Sequence, residues 1–160
     1  MSLSSGEQFT EEIERSKKMK KCLNISLIYA IAAMAGGVFY REFTKMNGFD
    51  GVTVLGKVHT HLFLLGMVVF LITALFCAHF KSLPERKTFK AFLCVYNIGA
   101  PLTAIMMTVR GVTEVLNLEL TRVANAAISG FAGIAHIIAA TGIILLIVSL
   151  KASAKSEDAK

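Results

Sequence analysis

The sequence predicts an all-α integral membrane protein, a four-helix bundle running up-down-up-down with both termini in the cytoplasm. Three observations predict it. Of the 160 residues 54% are hydrophobic and the mean hydropathy is +0.61, beyond an ordinary soluble domain. The apolar residues gather into four runs, each close to the roughly 20 residues a helix needs to cross a bilayer. The basic residues crowd into alternate segments between those runs. Backbone groups left unpaired in lipid are so costly that such runs must be helices rather than open strands.

Residues 1–21 form a polar cytoplasmic segment in which Ser5 and Gln8 have capping-box spacing and predict the start of a helix. The first span covers roughly 22–40, CLNISLIYAIAAMAGGVFY. Ala33-Met34-Ala35 resembles a leader-peptidase site, but the polar stretch before the run carries four glutamates and the run continues to Tyr40. An uncleaved helix is therefore expected. The second span covers roughly 58–80, its helix starting a turn or two earlier, near Thr53. Leu83-Pro84-Glu85 then reads as a helix stop and turn. The third span, roughly 91–113, contains Pro101, which frees a carbonyl around Asn97. The fourth covers roughly 124–150, and 151–160 is expected to be a frayed cytoplasmic tail. The bundle proper thus spans 22–150, with no internal repeat.

Charge orients it. Residues 1–21, the 81–90 loop and the tail hold twelve of the seventeen lysines and arginines. Arg41, Lys45, Lys57 and Arg122 lie on the other side, and Arg110 lies inside the third span. The positive-inside rule places both termini in the cytoplasm, where anionic lipid headgroups are the expected partners of the lysines. The net charge of +6 does not point to nucleic acid, because no basic stripe is interleaved with aromatic residues. Cys22, Cys77 and Cys94 fall at the cytoplasmic ends of spans, where thiols stay reduced. A thiolate–imidazole metal site with His79 is one reading of them. Small buried residues is the plainer one, since no C-x-x-C spacing is present.

Small residues, Ala33 and Gly37 in the first span and Gly130, Gly133 and Ala140 in the fourth, predict close helix approach. The chemistry lies in the histidines. His59 and His61 sit at the mouth of the second span, about 200° apart around the helix, so they face different spaces. His79, five whole turns beyond His61, is expected on the same face about 27 Å away. His136 lies mid-span, and the residues sharing its face are Ala132, Gly133, Ala139 and Ala140. Such a face suits either a closely packed helix or a flat cofactor, and an ionisable group inside a span is a functional hypothesis by default. Counted along the helices, Arg110 and His61 come to about the same height, with His136 some 8–9 Å deeper.

Haem b is the cofactor that uses these groups together. Its iron takes neutral imidazoles, its ring takes an apolar slot and its propionates take arginine or lysine. His61 and His136 are the leading axial candidates, and His59 would serve a second slot or a neighbouring chain. Arg110 and Lys57 would hold propionates, Met106 and Met107 would pack on the ring or ligate weakly, and Gly133 would line the slot. A bare copper or zinc ion on the same imidazoles is the alternative, as a metal-binding sensor or structural protein. A small-solute transporter is third, disfavoured because paired broken helices are not visible. No P-loop, dinucleotide fingerprint or C-x-x-C-H appears, and Glu114 is the lone carboxylate at a span boundary.

Four stretches carry a resemblance: GVFYREFTK (37–45), GKVHTHLFLLG (56–66), MMTVRGV (106–112) and ISGFAGIAH (128–136). In these the chain resembles a family of uncharacterised bacterial four-span membrane proteins, which implies a multi-pass protein of the cytoplasmic membrane. His-x-His at a span end also resembles the catalytic subunit of haem-copper oxidases and NnrS-type haem proteins. In the oxidases the two histidines serve different haems, and twelve helices form three arcs of four. The likeness implies a homotrimer with haem slots shared between subunits, working in electron transfer with a redox partner or in binding O2 or NO. The chain has no histidine pair matching the oxidase copper ligands, so the resemblance does not extend to oxygen reduction.

Overall fold

In the computed structural model, which describes residues 5–158, four long helices carry almost the whole chain. They are α1, Ser5–Met46, α2, Val54–His79, α3, Lys87–Val115, and α4, Arg122–Asp158. Each is long and apolar enough to cross a membrane. The expected spans therefore appear in the expected order, and the chain is a multi-pass membrane protein in outline. One end of the structure carries the His-x-His pair and is called the histidine end; the other, with the α1 lysines and the 81–90 turn, is the lysine end.

The helix expected to open at Ser5 begins there, and it continues without a break into the first span over 42 residues. The described part of the tail expected to fray, 151–158, is helical, and residues 159–160 lie outside the described residues. Arg86 accounts for that: its Nε donates to Ser153 Oγ at 2.7 Å and its guanidinium to the Ala152 carbonyl at 2.6 Å. Ser153 is fully buried, and Glu157 accepts from the Lys81 backbone N–H at 3.1 Å. Packing against the Leu83–Glu85 turn thus holds a segment whose composition reads as loose.

Short links set the helices antiparallel. Glu114 stitches the histidine end, where one carboxylate oxygen accepts from Thr53 Oγ1 at 2.9 Å and Val54 N–H at 2.8 Å. Thr53 in turn caps the first turn of α2 by accepting from Leu55 N–H. Gly48 and Asn117 take positive φ in the two links at this end, as turn residues do.

The helices pack in chain order, α1 on α2, the start of α2 on α3, and α3 along the length of α4. No comparable interface joins α1 to α4 among the described residues, so the bundle is open. Glycines set the close approaches. A side chain at Gly111 would meet Leu55, one at Gly142 would meet Tyr96, and one at Gly99 would meet the Ala139 backbone. Gly130 and Gly133, by contrast, face open space. An aromatic core holds the centre, with Tyr29 stacked on Phe70 at 5.7 Å and Phe70 on Phe92 at 5.9 Å.

Helix α2 is not uniform. After a 3-10 turn (Val54–Lys57) and one α turn (Val58–His61), Leu62–Val68 winds as a π-helix before α geometry resumes at Val69. Neighbours satisfy its carbonyls: Tyr96 Oη donates to Leu65 at 2.6 Å and Ser26 Oγ to Met67 at 2.9 Å. Gly66 lets the Tyr29 ring lie directly on the wide turn. A π-turn holds about one residue more than an α-turn, which is about 100° of register. His79 therefore does not share the face of His61, and it lies exposed, edge-on to Phe80.

Candidate functional site

The residues at the histidine end divide by the hydrogen bonds their rings make. His61 Nδ1 lies 2.9 Å from the Lys57 carbonyl, one turn back on its own helix. His136 Nδ1 lies 2.7 Å from the Ala132 carbonyl in the same way. A carbonyl only accepts, so Nδ1 carries the proton in both rings and the neutral imidazole presents the Nε2 lone pair. A second bond that fixes tautomer and orientation is the usual support of a metal-ligating histidine. Both rings reach the protomer surface, His61 half-buried and His136 exposed.

His59 differs. Its ring lies against Gly37, with Cγ 3.7 Å from where a Cβ would stand, and beside Tyr40 at 6.5 Å between centroids. Its Nδ1 is buried without a partner. The two histidines face different spaces, as the helical spacing requires, and the space His59 occupies is the contact with α1.

The face of His136 on α4 is bare on one side only: nothing lies within 4 Å of where a Cβ would stand at Gly133 and Ala140 is exposed, whereas Ala139 on the other side is buried against Gly99 of α3. The small residues of the bare side hold no neighbour within the protomer. Arg110 of α3 borders this face: its guanidinium donates to Asn125 Oδ1 at 2.6 Å and to Ser129 Oγ at 2.8 Å. Its hydrogen-bond partners among the described residues are neutral, so its charge is uncompensated, as is that of exposed Lys57. Met106 is half-buried beside this region, whereas Met107 is buried with Leu55, Val58 and Val115 in the core.

Within one protomer these groups do not converge. Helix α4 packs on α3 and not on α2, and no group of three or more His, Cys, Asp or Glu side chains capable of holding an ion occurs among the described residues. The π-turn one residue beyond His61 is the feature the sequence did not disclose, though such turns occur often at functional sites. On the inner side of α2, an apolar groove of about 580 Å³ opens between α1 and α3. It is lined by residues including Tyr29, Gly36, Leu62, Asn97 and Pro101.

Residues 19–153 match a family described as a protein of unknown function, DUF2871, and the chain belongs to that family. No curated protein and no solved structure matches it.

Proposed function

We propose that this member of the DUF2871 family is a haem-b-binding protein of the bacterial cytoplasmic membrane that works as a homo-oligomer, with three protomers favoured. The observation that carries the reading is the pair of tautomer-fixed imidazoles, His61 and His136, each presenting Nε2 at the protomer surface. The open bundle supports the shared site. Helix α2 of one protomer and the bare face of α4 of a neighbour would bring the two imidazoles together, as the protomer alone does not.

The residues present fit the group. Gly133 and Ala140 leave room for a ring beside His136, while Arg110 and Lys57 would supply charge for propionates. Arg110 is already oriented by Asn125 and Ser129, so little side-chain freedom is lost when an anion binds. Bound haem would supply one-electron transfer to a redox partner, or a coordination position for O2 or NO. The protein's part is to hold Nε2 toward the iron, through Nδ1–H bonds that raise ligand basicity, and to keep the slot dry. His59 supports α2 from behind by its contact with Gly37 and Tyr40. Both termini are assigned to the cytoplasm, with the lysine end against anionic headgroups.

Copper or zinc on the same imidazoles is the second reading, since the fixed tautomers suit a bare ion equally. The experiment is the visible spectrum of protein purified in detergent from haem-replete cells. A Soret band with reducible b-type features is expected. Colourless protein that stays colourless on haem titration overturns the proposal, and stoichiometric copper or zinc in that sample establishes the second reading.

A further inference from the structure

The groove between α1 and α3 is apolar, but its walls carry polar groups whose hydrogen bonds are incomplete. Its volume of about 580 Å³ lies in the range of small-molecule sites, which combine an apolar lining with a few placed polar groups. Ile28, Ala32 and Ile105 line it and are exposed, so it opens sideways, where a membrane protein meets lipid. Asn97 and Pro101 stand one turn apart on the α3 wall. Proline has no N–H, so the Asn97 carbonyl lacks its helical donor. The Asn97 amide donates to the Leu93 carbonyl at 2.7 Å, which leaves Oδ1 as a second acceptor. Tyr29 belongs to the α1 wall, is 6% exposed, and its hydroxyl has no hydrogen-bond partner among the described residues. Haem binding uses none of these groups.

We propose that the groove binds a lipid-soluble quinol, a hydroxylated aromatic ring on an apolar tail, in preference to the corresponding quinone. A hydroxyl both donates and accepts. One quinol hydroxyl would donate to Asn97 and accept from Tyr29. A quinone accepts from Tyr29 but brings no hydrogen for the Asn97 acceptors, and an acyl chain satisfies neither side. Position favours a redox-active lipid over other hydroxylated lipids. Leu62 of the groove follows His61, and Val109 of the groove precedes Arg110, so the site adjoins the residues assigned to haem. The quinol's role as electron donor rests on the haem reading, whereas its binding does not. Oxidation to the quinone releases two electrons and two protons. The electrons reduce ferric haem one at a time, in two protomers or in two turnovers, and the protons pass to solvent. The quinone then lacks the bond to Asn97 and is released.

The test uses full-length protein in detergent without oxygen, with a short-tailed benzoquinol and the matching benzoquinone as probes. Probe retained through gel filtration is extracted and quantified. About one quinol per chain is expected, held roughly three- to tenfold more tightly than the quinone, the ratio that one hydrogen bond implies. Ala32→Phe, at an exposed position, should fill the groove and lose the quinol. Asn97→Leu removes one acceptor and Pro101→Ala returns an N–H to the Asn97 carbonyl, so each should lower the preference for quinol. Tyr29→Phe should weaken both forms while keeping the parent's thermal midpoint. The site is overturned if Ala32→Phe, checked for helicity and monodispersity, retains as much quinol as the parent, since the probe is then only dissolved in detergent. It is also overturned if the parent holds quinone as tightly as quinol, or carries a phospholipid or diacylglycerol that quinol fails to displace. Binding by haem-free protein establishes the site even where the haem reading fails. In haem-loaded protein the quinol should reduce the haem several times faster in the parent than in Ala32→Phe, and equal rates overturn the donor role.

Discussion

Glycines on opposite sides of the α3–α4 pair give the sharpest test of the shared site. At Gly99 an added Cβ would stand 2.7 Å from Ala139 Cα and 2.8 Å from the Ile138 carbonyl carbon. Carbon atoms settle at roughly 3.5–4.0 Å, so the two backbones must part by about 1 Å. Overpacking of this kind costs about 1–3 kcal/mol. Gly99→Ala should therefore lower the thermal midpoint of the detergent-solubilised protein. At Gly133 nothing lies within 4 Å, and replacing a helix-interior glycine by alanine favours the helix by about 0.8–1 kcal/mol. Gly133→Leu should accordingly leave the protomer folded, with its midpoint unchanged or raised. If that face meets a ring and a neighbour, however, the leucine occupies the slot. Soret absorbance per protein should fall at least tenfold, and light scattering should report a smaller oligomer. Full haem content and an unchanged oligomer in Gly133→Leu would refute the reasoning. So would a Gly99→Ala protein that melts like the parent, since the interface distances would then not govern stability.

Further outcomes follow from individual bonds. His61→Ala and His136→Ala should each abolish the low-spin haem spectrum or leave a five-coordinate, ligand-accessible form, whereas His59→Ala and His79→Ala should keep it; redox difference spectra decide. Tyr96→Phe removes the 2.6 Å bond to the Leu65 carbonyl and should cost about 0.5–1.5 kcal/mol, read as a lower melting midpoint with the helix count retained. Arg86→Met removes the bonds to Ser153 and Ala152. It should expose the end of α4 to trypsin at Lys151 and Lys155, and protection equal to the parent's would contradict the assigned role.

The spans were legible because bilayer crossing imposes a length and a composition that few other structures share, and the four apolar runs meet both. Thr53 as the start of α2 and Leu83-Pro84-Glu85 as a stop were legible from local chemistry. The helical course of 151–158 was not, because Ser153 and Ser156 read as solvated until Arg86, 67 residues away from Ser153, is placed beside them. At the candidate site the hydrogen bonds of His61 and His136 span a single helical turn and were within reach of sequence reasoning. The burial of His59 against α1 required the relative rotation of two helices. The choice of small packing residues held in the first span, where Ala33 is buried and Gly37 meets the His59 ring, and failed at Gly130 and Gly133 for a related reason: small residues permit close approach, but only the partner helix shows which of them are used.

The wide turn at Leu62–Val68 also has a bearing on descent. A helix turn with one residue too many is a length difference that folds without a loop, so relatives with or without it would differ by a single insertion in the middle of a span. The hydroxyls of Ser26 and Tyr96 answer carbonyls of that turn alone. The three features should thus be inherited together. A relative one residue shorter here would have no use for either hydroxyl and should carry alanine and phenylalanine in their places. It would also present its His-x-His pair turned by roughly a quarter of a circle relative to the rest of the span.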